Sequence, residues 1–89
     1  MKLRGKFVVR QVMNNTVAVP VGQAAREFNG MILLNDVSKV LWESLERGAT
    51  TEEMTDTITE QFSVSRDEAN ADIIEFLDKL RELQLLEET

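Results

Sequence analysis

Glu52, Glu53, Asp56 and Glu60 recur at intervals that put carboxylates along one side of a helix. Paired carboxylates can run general acid and base chemistry or hold a divalent cation, but only when one is desolvated or a loop gathers several oxygen ligands. This stretch offers neither, and no Asp-x-Asp-x-Asp-Gly loop occurs elsewhere, so these acids read as a solvated helix face. The chain has no Cys, His or Tyr. It therefore lacks a thiol nucleophile, a disulfide framework and a zinc knuckle, together with the commonest metal ligand and general base. Its glycines, at positions 5, 22, 30 and 48, form no Gly-x-Gly-x-x-Gly and no Gly-Lys-Ser/Thr phosphate loop. We expect no catalytic residues, no metal site and no cofactor.

Ser38 is a further candidate, in Asp36-Val37-Ser38-Lys39. Acyl carrier proteins are also small, acidic and helical, and carry a serine directly after an aspartate in an Asp-Ser-Leu motif. Here the serine is displaced by one residue and a lysine follows it, which sets the carrier reading aside.

Charge narrows the partners. Residues 1–40 hold six Lys and Arg against Glu27 and Asp36, whereas residues 41–89 hold four against fourteen acids. A helical half with a surplus of ten negative charges repels phosphate, so nucleic acid is not expected as a partner. No apolar run approaches the ~20 residues that cross a bilayer, and the N-terminal residues lack the apolar stretch of a secretory signal. A cytoplasmic protein without a membrane partner is the expectation. At 89 residues, one domain with one core follows.

Two alternating, β-branched segments, 7–12 and 16–21, read as strands joined at Asn14-Asn15, a pair suited to a tight turn. Pro20 has no N–H for a ladder and belongs at an edge or strand end. The glycine-bounded stretch 22–30 reads as a loop with a helical turn around Ala24 to Phe28, and Met31 to Leu34 as a short third strand. Three helices follow, over 36–47, 51–62 and 65–84. Asn35 or Asp36 can cap the first and Gly48 can end it, while Thr50 with Glu53 and Ser65 with Glu68 are S/T-x-x-E capping boxes. Val64 and Ala69 are placed as a hydrophobic staple. Trp42 lies off the Val37, Leu41 and Leu45 row, with a core role favoured over a surface anchor. Met54 reads as a core gap-filler, while Met31 suits core or binding surface equally. On the third helix, Ala69, Ile73, Phe76, Leu77, Leu80 and Leu83 form the main stripe, with Ile74, Leu77 and Arg81 on a neighbouring one. The architecture is α+β: a three-stranded antiparallel sheet with three helices packed on it.

That order, with Leu33-Leu34-Asn35-Asp36 at the junction, resembles the family of coenzyme pyrroloquinoline quinone synthesis protein D. The likeness covers nearly the whole chain. Its carriers are Val19-Pro20-Val21-Gly22, Phe28 to Asn35, Leu41-Trp42-Glu43-Ser44-Leu45 with Gly48, Thr51-Glu52-Glu53-Met54, and Asp72 to Leu80 with Leu85-Leu86. The resemblance implies a winged-helix-like fold that captures the leader segment of a ribosomally made precursor peptide. It also implies presentation of that peptide to a modifying enzyme, often a radical S-adenosylmethionine enzyme with iron–sulfur clusters. In the family the leader lies between the third strand and the third helix. The matching positions here are Met31, Ile32, Leu33 and Leu34 with Ile74, Leu77, Asp78 and Arg81. Arg81 would then pair with an acidic leader residue, and Ile74 and Leu77 would receive apolar ones. The residues alone leave open whether Ile32 and Leu77 serve the groove or the core. The chain departs from the family at Gln84, where glycine commonly ends the third helix, and its 22–30 loop is more like that of the family's stand-alone members.

Two other functions fit the same pattern of elements: a winged-helix DNA-binding transcriptional regulator, against which the acidic helices count, and an adaptor in some other protein complex. A neighbouring short reading frame beside a radical-enzyme gene would mark the leader-binding function.

Overall fold

Alternating β-branched and aromatic residues make the first third of the chain a sheet, and 3.6-residue periodicity makes the rest helical. The computed structural model describes residues 1–88. Its elements are β1 (Lys2–Leu3), β2 (Phe7–Val12), β3 (Asn15–Pro20), α1 (Gln23–Glu27), β4 (Ile32–Leu34), α2 (Asp36–Arg47), α3 (Thr51–Gln61), α4 (Arg66–Glu82) and β5 (Leu86–Glu87). The sheet is antiparallel in the order β2-β3-β4, as its α+β, winged-helix-like reading requires. A second, two-stranded pairing of β1 with β5 ties the chain ends together, with Leu3 opposite Leu86. Its two-residue strands carry no alternation by which the sequence could announce them.

The β2–β3 turn falls one residue earlier than Asn14-Asn15. Val12 pairs with Asn15, which leaves Met13-Asn14 as the two-residue loop, and Met13 takes the positive φ of 57°. Pairing of every residue from Phe7 to Val12 fixes this register, so the turn must sit where the ladder ends. The strand expected over 16–21 is thereby Asn15–Pro20, and that expected over 31–34 starts at Ile32.

Period two sorts the sheet residues. Phe7, Ala18, Ile32 and Leu34 face the helices and are buried. Val17 is also buried but stands outside that cluster, on the opposite face, in register with Arg10 and Leu33. The core closes on Trp42, fully buried, whose ring meets Phe7 edge-on at 5.2 Å between centroids. Leu41 and Leu45 of α2, Met54 and Ile58 of α3, and Ala69, Ile73, Leu77 and Leu80 of α4 complete it. Leu83, expected on the α4 stripe, is instead 38% exposed beyond the last helical turn. Thr55 links the last two helices from inside: its hydroxyl donates to Thr51 O at 2.8 Å, and the Asn70 side-chain amide lies 2.8 Å away.

The capping signals hold with one change. Thr50 and Glu53 form the reciprocal box, the Thr50 N–H donating to Glu53 Oε1 at 2.8 Å. Ser65 accepts from the Glu68 N–H at 3.1 Å, but the Glu68 carboxylate takes the Ser65 hydroxyl at 3.3 Å rather than its backbone. Helices α3 and α4 end a residue or two before the sequence suggests, at Gln61 and Glu82. Gly48 closes α2 with φ 83° and ψ 125°, a conformation that glycine tolerates, and which turns the chain out of the helix rather than into a left-handed turn.

Candidate functional site

The corner between β4 and α2 is held by a reciprocal cap. The Ser38 N–H donates to Asn35 Oδ1 at 2.8 Å, and the Asn35 N–H donates to Ser38 Oγ at 2.8 Å. Asn35 is thus the cap, and Ser38 serves it. The cap fixes where β4 stops and α2 begins. Strand β4 pairs with β3 on one side only, so its other edge presents backbone N–H and C=O groups with no strand partner among the described residues.

Beside that edge is a cavity of about 240 Å³. Ile32 and Leu33 of β4 line it, with Asn35, Val37, Ser38 and Leu41 from the corner and α2. The facing wall is α4, through Asp72, Glu75, Phe76, Lys79 and Leu80. The floor is apolar, since Ile32, Leu41, Phe76 and Leu80 all belong to the core cluster. The rim is polar: Asp72, Glu75 and Lys79 are exposed. An extended segment laid along β4 would gain ladder hydrogen bonds on one side and a slot for alternate side chains on the other.

The site residues expected from the sequence divide. Ile32, Leu34 and Leu77 are buried at 8%, 6% and 2% exposure, so their side chains belong to the core, with Ile32 also reaching the groove. Met31, Leu33 and Ile74 are exposed apolar residues. Asp78 and Arg81 are exposed and joined to each other at 2.8 Å, and Arg81 is held further by Glu88. Ile74, Asp78 and Arg81 do not line this cavity, but Ile74 and Asp78 border a second, shallower hollow along α4 with Glu75 and Lys79. At about 100° per residue, Asp72, Glu75 and Lys79 lie on one flank of the α4 core stripe and Ile74, Asp78 and Arg81 on the other. The stretch Asp72 to Leu80 that carried the resemblance contains residues of both flanks, and those that line this cavity are Asp72, Glu75, Phe76, Lys79 and Leu80.

Electrostatics outside the groove are set by local bonds. The Arg81 guanidinium holds the Glu88 carboxyl below its ordinary value. The Thr50 backbone N–H does the same for Glu53, and burial followed by repulsion from Glu43 pushes Glu46 up. No grouping of His, Cys, Asp or Glu among the described residues is placed to hold a metal ion, and no helix there is long and apolar enough to cross a membrane. Helix α3 carries four acids and no base.

A small winged-helix-like α+β domain with an open sheet edge beside a helix-walled groove is an architecture for holding an extended chain. Residues 9–86 match coenzyme PQQ synthesis protein D (PqqD), and the chain belongs to that family. It is also similar, at 27% identity and a TM-score of 0.74, to TbiB1 as solved in complex with the TbiA(beta) leader peptide, over 100% of this chain and 98% of that one. A comparison with curated proteins finds no match.

Proposed function

We propose that this domain binds the leader segment of a ribosomally synthesised precursor peptide by strand addition at β4 and presents it to a peptide-modifying enzyme, without catalysing a reaction itself. The observation that carries the reading is the unpaired β4 edge lying beside a groove with an apolar floor. Backbone pairing supplies affinity for any extended peptide, and the groove supplies selection among side chains. Family membership and the likeness to a protein solved with a leader peptide support it. Absence of His and Cys removes the usual catalytic groups, which supports an adaptor that delivers its cargo to a separate enzyme. The family resemblance points to a radical S-adenosylmethionine enzyme as that partner.

The test is amide chemical-shift mapping with the precursor peptide encoded beside the gene. Perturbations confined to residues 31–38 and to Asp72 through Leu80 are expected. A cluster on α3, around Glu52 to Glu60, would move the site to another face of the molecule.

A further inference from the structure

The charge pattern of the groove rim specifies the cargo more narrowly, on the assumption that the groove is the leader site. Asp72 and Glu75 stand one helical turn apart on the groove wall, beside Phe76, which lines the groove floor at 9% exposure. Neither takes part in an ion pair among the described residues, whereas Asp56, Asp78 and Glu88 are each paired. The single basic residue of the rim, Lys79, leaves it with a surplus of one negative charge. Across the groove, Asn35 and Ser38 are neutral and already bonded to each other. Arg81, the cation that would welcome an acidic leader, sits on the other flank of α4 in the grip of Glu88.

We infer that the segment held in this groove carries a large apolar residue with a lysine or arginine two positions away. Side chains at i and i+2 of an added strand point to the same face. When the apolar residue settles over Phe76, its neighbour on that face is brought to the Asp72 and Glu75 carboxylates. An acidic residue there meets two like charges.

The test is selection of a displayed library of randomised decapeptides on the full chain, on a D72K/E75K variant, and on an E52K/E60K control. The control carries the same change of net charge on α3, away from the groove. The wild-type chain is expected to enrich sequences with Lys or Arg two positions from Leu, Ile or Phe. The groove variant should lose or invert that preference, and the control should keep it. In the best selected peptide, replacing that Lys by Gln should raise Kd about 3- to 10-fold, the scale for two exposed ion pairs, and this holds even if the double variant folds poorly. Enrichment of apolar residues without a basic neighbour, or equal loss in the control, would overturn the inference and leave leader binding standing. Failure to enrich any peptide would overturn both.

Discussion

Arg81 is forked onto Glu88: Nε lies 3.1 Å from Oε2 and Nη2 lies 2.8 Å from Oε1. This two-point contact joins the last turn of α4 to the residue after β5, and Asp78 adds a third bond at 2.8 Å. The guanidinium is consequently engaged on the flank away from the groove. Replacing Arg81 with Gln should leave affinity for a leader within about twofold, the scatter of surface changes, while loosening the C-terminal residues. The Glu88 carboxyl titrates below the ordinary glutamate value because of this arginine. The contact therefore stabilises the fold above that ordinary value and is lost as pH falls through the lowered one. Carbon-detected titration should show the Glu88 midpoint rising in the Arg81→Gln protein.

Gln84 occupies a left-handed conformation, with φ 60°, at the end of α4. Leu85 N–H reaches Leu80 O at 2.9 Å and Gln84 N–H reaches Arg81 O at 3.0 Å, the paired bonds of a Schellman cap. Leu80 and Leu85 bury the apolar contact that accompanies it. A residue with a Cβ is strained there, by an amount that glycine's larger unfolded entropy only partly offsets. Gln84→Gly should stabilise the domain by about 0.5–1 kcal/mol, read from the urea midpoint. A lower midpoint would mean the glutamine side chain makes a contact worth more than the strain.

The Thr50 cap gives a second test of acid stability. Thr50→Ala removes the acceptor for the Glu53 N–H and should cost about 0.5–2 kcal/mol at neutral pH. Glu53 is held below its ordinary value chiefly by the Thr50 backbone N–H, so its contribution is present at neutral pH and disappears as pH falls through the lowered value. The Thr50→Ala protein keeps that backbone N–H, so both proteins should lose the Glu53 contribution alike and most of the difference between them should persist at strongly acidic pH.

Leu77 and Ile74 separate packing from binding. Leu77→Ala, in the core, should destabilise by ~2–5 kcal/mol. Ile74→Ser, at a position 57% exposed, should change stability by no more than ~0.5 kcal/mol and leave leader affinity unaltered. A tenfold loss of affinity in a well-folded Ile74→Ser protein would put the leader on the opposite flank of α4.

Strand addition has its own signature. N-methylation of successive leader residues should weaken binding with a period of two, by about tenfold at sensitive positions, since each modification removes one backbone donor and crowds the edge. Fluorescence anisotropy on a methylated peptide series reads this directly, and a flat profile would rule out pairing at β4.

Much of the fold was legible before any coordinates because it rests on local rules. The capping pairs at Thr50 and Ser65 act across three residues, and the helical stripe from Ala69 to Leu80 follows from 3.6 residues per turn. The β-branched and aromatic content of 7–12 identified the first long strand to the residue. The turn at Met13-Asn14 escaped because turn preference is a weaker force than a complete six-pair ladder, which placed the positive φ on a methionine.

The sequence by itself determined that the domain has one core, no catalytic histidine or cysteine, a short apolar third strand and an acidic helical half. Tertiary packing decided the groove. Both flanks of α4 are visible in the sequence beside one apolar stripe, and nothing local says which of them meets β4. Only the docking of the stripe against Leu41, Trp42 and the sheet sets which flank meets β4, turning Asp72, Glu75 and Lys79 to the groove and Arg81 to Glu88. The same long-range closure pairs Leu3 with Leu86, residues too distant in sequence for periodicity to report.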